Sequence, residues 1–169
     1  MLHSDKQFLQ FHCGPFALLL PIGNMAKILD FDSALCSPSG DSLAHHGKTT
    51  TWNDTVLPYL DFRLTLQLPH EKLLPPLSAL VLRSNATFQP IAIIAVDDVV
   101  GFVEPQAHEW YQTSGINKDI DVFFDRLYAK DQHDCLMMCL KDPLQWLPNT
   151  IKTANQFLTN NNGAPLHAH

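Results

Sequence analysis

The chain is poor in basic residues. Eleven Lys and Arg stand against seventeen Asp and Glu, a formal net charge of −6 at pH 7, and the cations are not clustered. Phosphate backbones are held by grouped Lys and Arg, so nucleic acid is excluded as the main partner. Long apolar runs are missing too. The longest candidate, residues 16–22, is of strand length and already contains Pro21, far short of the ~20 residues that cross a bilayer. No membrane insertion is therefore expected. The opening Met1-Leu2-His3-Ser4-Asp5-Lys6 lacks the basic and apolar layout of an export signal. A cytoplasmic location follows as the expectation, with Cys13, Cys36, Cys135 and Cys139 as reduced thiols.

Signatures of catalysis are equally scarce. The sequence has no Gly-x-Ser-x-Gly, no phosphate-binding glycine loop and no dinucleotide fingerprint. Zinc sites show closely spaced ligand pairs such as Cys-x-x-Cys, and none occurs. His45 and His46 are neighbours, so in an extended loop their rings point apart. The densest ligand cluster is His133, Asp134 and Cys135, with Cys139 four residues on. Joined by a histidine from the loop at 32–53, it defines the competing hypothesis, a small metal-dependent enzyme. A third possibility, a small-molecule sensor with an apolar pocket between two β units, has no specific signature. The leading expectation is no catalytic residue, no metal and no cofactor.

What is present is a globular composition, 46% hydrophobic and 17% charged over 169 residues, enough for one domain with its own core. The expected layout is a tail at 1–6, a domain at 7–150, and a tail at 151–169 disordered towards its end. Twelve prolines against seven glycines point to short elements with rigid joints. Residues 7–13 and 16–20 flank Gly14-Pro15 as a hairpin. Asn24 is placed to cap a short helix through Met25, Ala26, Ile28 and Leu29. Residues 32–53 read as a loop, and 55–66 as an alternating strand with an edge or bulge at Pro58. Strands are expected at 78–82, 91–96 and 99–103, the first two joined by a turn at Ser84-Asn85-Ala86-Thr87. A hairpin at 123–128 and 135–140 is preferred over an amphipathic helix, and Pro143 begins a short helix. Many short strands with few helices predict a mostly β barrel or sandwich.

One stretch interrupts this pattern: Ile93-Ile94-Ala95-Val96-Asp97-Asp98-Val99 sets two carboxylates in an apolar run. Adjacent strand residues face opposite sides, so they are poorly placed as an acid/base pair. One is expected to brace a bend while the other meets water.

Taken in order, these segments resemble the CheW family of chemotaxis coupling proteins over residues 7–147. Phe8-Leu9-Gln10-Phe11-His12-Cys13-Gly14, then Leu20-Pro21-Ile22, Met25 and Ile28, is similar to that family's first segment. Leu57-Pro58-Tyr59-Leu60-Asp61-Phe62-Arg63 resembles its Val-Pro-x-x-Asp-Leu-Arg strand, and Val96-Asp97-Asp98-Val99 its Val-Asp-x-Val element. The resemblance implies two small five-stranded barrels around a shared core, with Asp61 and Asp97 structural. It implies a non-enzymatic adaptor that links a CheA-type histidine kinase to the cytoplasmic tips of chemoreceptors. The partner-binding residues implied are Met25, Lys27, Trp52, Asn53, Tyr59 and Arg63. Two departures stand out: Lys27 replaces a glutamate, and Thr51-Trp52-Asn53-Asp54 falls where the family carries Asn-Leu-Arg-Gly. A close variant is therefore an adaptor serving another partner, or a degenerate copy.

Overall fold

A computed structural model describes residues 6–112, 121–130 and 136–163. Eleven strands form two sheets among these residues. The first sheet uses β1 (Phe8–Cys13), β2 (Phe16–Pro21), β8 (Asp98–Val103), β9 (Trp110–Gln112), β10 (Phe124–Tyr128) and β11 (Met137–Leu140), in the order β8-β1-β2-β11-β10-β9. The second uses β3 (Met25–Asp30), β4 (Thr49–Trp52), β5 (Thr55–Asp61), β6 (Ser78–Arg83) and β7 (Pro90–Val96), in the order β3-β6-β7-β5-β4. Among the described residues they are accompanied by α1 (Ser42–His45), α2 (Phe62–Thr65) and α3 (Pro143–Gly163), together with short 3-10 turns. The fold is mostly β, as expected, but both sheets are open and of unequal size rather than two five-stranded barrels.

Strand periodicity explains the layering. On β6, Leu80 and Leu82 join one buried cluster while Ala79 and Val81 join another, and on β7 Ile94 and Val96 separate from Ile93 and Ala95 in the same way. Successive side chains leave opposite faces of a strand, and both faces here are covered, which is why these strands read as unbroken apolar runs. The larger cluster is the shared core. Leu9, Phe11, Cys13, Leu18 and Leu20 of the first sheet meet Leu60, Leu80, Leu82 and Ile94 of the second, with Trp146 and Leu147 of α3 packed between. A smaller cluster of Phe8, Leu19, Tyr128 and Cys139 occupies the outer face of the first sheet.

Several local expectations were met. Gly14, at φ +57, turns β1 into β2 with Cys13 paired to Phe16, a backbone state that favours glycine. The hairpin near the C-terminus forms as β10 and β11, paired from Phe124↔Leu140 to Tyr128↔Met137. Pro58 pairs only towards β4, because contact between β5 and β7 begins at Tyr59; no ladder donor is lost.

Others need correction. Residues 25–30 are a strand, not a helix. A register shift between Met25 and Lys27 inserts a bulge against β6, so Met25 and Ile28 share the main core while Ala26 and Leu29 share the second cluster. The bulge stretches a spacing of two into a spacing of three, which imitates helical periodicity. The stretch at 32–53 carries a 3-10 turn at Ser33–Cys36, then α1 and β4. The strand expected to reach 66 stops at Asp61, whose side chain accepts from the Arg63 backbone N–H and caps α2. The final helix is not short. It runs 21 residues with Pro148 inside.

Candidate interaction surface

The paired aspartates divide as their adjacency dictates. Asp98 meets His12 Nδ1 at 3.0 Å on a half-exposed surface. Asp97 turns inward, where it accepts from the Gly14 backbone N–H and from Arg63 Nη1 at 3.0 Å. Arg63 is 0% exposed. It also donates Nε to Asp61 Oδ1 at 2.9 Å and Nη2 to Asp61 Oδ2 at 2.8 Å, a bidentate pair, and Nη1 to the Leu74 carbonyl. Burial works against the guanidinium charge, but hydrogen bonds and attraction from Asp61, then Asp97, outweigh it and hold its pKa above the ordinary value.

Asp61 anchors the other end of this chain. Ser42 Oγ donates to its Oδ2 at 2.6 Å, and the Ser42 oxygen lies 2.6 Å from Tyr59 Oη. Since the serine proton goes to the carboxylate, the tyrosine must donate to serine. Burial raises the Tyr59 pKa, keeping that proton in place. The Asp61 backbone N–H donates to His46 Nδ1 at 3.0 Å, and burial lowers the His46 pKa against the opposing charge of Asp61. With two guanidinium bonds, the Arg63 N–H and Ser42, the Asp61 carboxylate has its ~four acceptor sites filled. The network ties β5 and α2 to the β1–β2 turn and to the end of β7, joining the two sheets. Within it each acid holds a fixed donor.

The residues expected to bind partners are scattered. Tyr59 and Arg63 are both 0% exposed, inside the network just described, where no docking protein reaches them. Met25 is half-buried against the main core and Lys27 is exposed, both on β3 at one edge of the second sheet. Trp52 and Asn53 lie at the opposite edge. Trp52 packs partly on the second cluster. Asn53 (φ 47) and Asp54 (φ 60) form the two-residue turn between β4 and β5, with Trp52 paired to Thr55. Asn and Asp tolerate left-handed backbone better than other non-glycine residues. The residues His133, Asp134 and Cys135 of the metal hypothesis lie outside the described residues. Among the described residues, no group of three or more His, Cys, Asp or Glu is placed to hold a metal ion.

One surface feature was not anticipated. Beyond β6 the chain folds into a tip at 84–89. Phe88 N–H donates to the Ser84 carbonyl at 2.9 Å, Ser84 N–H to the Gln89 carbonyl at 3.3 Å, and Ala86 N–H to Ser84 Oγ at 3.1 Å. Phe88 sits at φ 59, an uncommon state for an aromatic residue, and is 60% exposed. The Arg83 guanidinium lies 5.2 Å from its ring centroid while Arg83 Nε donates to the Gly23 carbonyl at 2.9 Å. Gly23 precedes β3 by two residues, and Met25 pairs with Leu82. Phe88, Arg83, Met25 and Lys27 thus occupy one end of one sheet. The sequence carried a faint signal for this: an aromatic residue within a polar turn, with no alternating partner.

No protein-family model and no curated protein matches this sequence. Among solved structures, the chain is similar to the scaffolding protein TtCheW from Thermoanaerobacter tengcongensis. The likeness covers 81% of this chain and 89% of that one, with a TM-score of 0.64 at 12% sequence identity. What the two share is the fold, the one that the order of the sequence segments implied.

Proposed function

We propose that this protein is a non-enzymatic, CheW-like adaptor that works by binding other proteins, joining a CheA-type histidine kinase to the cytoplasmic tips of chemoreceptors. The mechanism is scaffolding: binding free energy biases the kinase between conformations, with no covalent chemistry. The carrying observation is the exposed Phe88 of the 84–89 tip, stacked by Arg83 at the end of the second sheet where edge strand β3 pairs Met25 with Leu82 and Lys27 with Val81. A rigid aromatic next to cations is the composition of an interface anchor, since Phe loses few rotamers on binding and Arg pairs with acids. The likeness in fold to a scaffolding protein supports the same reading. Lys27 also blunts an otherwise pairable edge strand.

The test is direct binding of the full chain to a CheA-type regulatory domain and to a receptor-tip fragment, measured by interferometry. Phe88→Ala is expected to weaken binding by at least about tenfold (1.4 kcal/mol), while Val56→Ala, at an exposed site on β5, leaves it unchanged. Failure to bind either partner would overturn the adaptor reading. Equal binding by Phe88→Ala and the parent would overturn the placement of the surface.

A further inference from the structure

A cleft of about 450 Å³ opens between α3 and the chain following α2. Leu64, Leu68, Val122, Phe123 and Ala154 give it apolar walls. His46 also lines it and is only 8% exposed. Its Nδ1 accepts the Asp61 backbone N–H at 3.0 Å, so the neutral ring must carry its hydrogen on Nε2. No acceptor among the described residues takes that hydrogen, and Nε2 is not among the nitrogens sealed without a partner. An unused donor therefore faces a largely apolar space of small-molecule size, whose lining is completed by Thr65, Gln67, His70, Asn149, Thr150 and Thr153.

We propose that this cleft binds a small, uncharged, largely apolar molecule whose single oxygen acceptor, as in a ketone, ester or ether, is held by His46 Nε2–H. An acid is disfavoured because Asp61 stands directly behind the imidazole and neither Lys nor Arg is among the described residues that line the cleft. A basic ligand would find no free carboxylate, the Asp61 oxygens being occupied by Arg63 and Ser42. Burial lowers the His46 pKa and keeps the ring neutral, a donor at Nε2 without a charge to solvate. This goes beyond the adaptor role: the cleft borders α3 and the Asp61 network and leaves the Phe88 surface untouched.

The experiment titrates the isotope-labelled full chain with acetophenone and, in parallel, with ethylbenzene, which keeps the ring and lacks the oxygen. Nuclear magnetic resonance follows His46 Nε2 and the amides of the cleft. Acetophenone is expected to shift Nε2 saturably and to bind about 2- to 10-fold more tightly than ethylbenzene, the value of one hydrogen bond. His46→Asn keeps an acceptor for the Asp61 N–H at the Nδ1 position, while its shorter amide leaves no donor at the Nε2 position; it is expected to abolish that preference. Thr153→Trp, at an exposed helix position on the rim, is expected to block both probes. An unmoved Nε2 resonance, equal affinities in the parent, or undiminished binding to Thr153→Trp would each overturn the proposal. The Nε2 shift and the Thr153→Trp result decide the matter even where His46→Asn fails to fold.

Discussion

Replacing Arg63 by methionine tests the role assigned to the buried network. The substitution keeps most of the side-chain volume and removes three kinds of bond at once: the bidentate pair to Asp61, the bond to Asp97, and the bond to the Leu74 carbonyl. Asp61, 0% exposed, would keep only Ser42 and the residue 63 backbone N–H as donors. Removing one partner of a buried pair costs about 3–5 kcal/mol, because the other charge is left uncompensated. Native stability is of order 5–15 kcal/mol, so the variant should be marginal, with its melting temperature lowered by about 6–20 °C for a chain of this size. Asp97→Asn should cost about 1 kcal/mol or less, since that carboxylate is 30% exposed and its pairing is screened. Urea titration followed by tryptophan fluorescence reads these values, Trp146 being fully buried in the shared core. The double variant Asp61→Asn/Arg63→Met should cost at least about 2 kcal/mol less than the sum of its singles. A cost below about 1 kcal/mol for Arg63→Met, or strict additivity, would refute the view that this network joins the sheets.

Three other predictions follow from the same geometry. His46 has its pKa lowered in the folded state by burial, so the unfolded chain takes up a proton first. Its contribution is complete above the unfolded value of about 6.5 and is lost as pH falls through the folded value. Urea melts at pH 7.5 and 5 should therefore show His46→Asn less destabilising at the lower pH, and a pH-independent difference would count against it. Cys13 and Cys36 have their pKa raised by burial, and Cys139 is pushed up to about 12, by burial first and then by Asp125. In a Cys135→Ser background all three should resist Ellman's reagent at pH 8 until denatured, and rapid labelling of the native protein would contradict their burial. Lys27→Glu reverses the charge of an exposed side chain on the β3 edge. It should change affinity for a chemotaxis kinase or receptor fragment mainly through the association rate, with the effect fading as salt rises; unchanged kinetics at low salt would remove Lys27 from the interface.

Much of the fold was legible because the relevant signals are local. Unbroken apolar runs of strand length marked β6 and β7, Gly14-Pro15 marked the first hairpin, and the adjacency of Asp97 and Asp98 already required their side chains to part. Errors arose where a local signal had two readings. The bulge at Met25–Lys27 gave a strand the spacing of a helix, and the cap formed by Asp61 ended a strand whose apolar pattern ran on.

The candidate surface was less legible, and for a different reason. Composition and pattern by themselves determined a mostly β domain, the bounds of most strands, and the opposed facing of the two aspartates. The family resemblance placed Arg63 among the partner contacts, and no local signal opposed it, because an arginine on an alternating strand looks solvated until its partners are known. Those partners are Asp97, 34 residues away, and Asp61, whose own burial depends on Ser42 arriving from 19 residues upstream. Phe88 became a surface feature only when Arg83 stacked on it and bonded to Gly23, 60 residues earlier. Tertiary structure alone decided these points, because burial and ion pairing depend on which distant segments meet, and strand periodicity carries only the direction of each side chain relative to its neighbours.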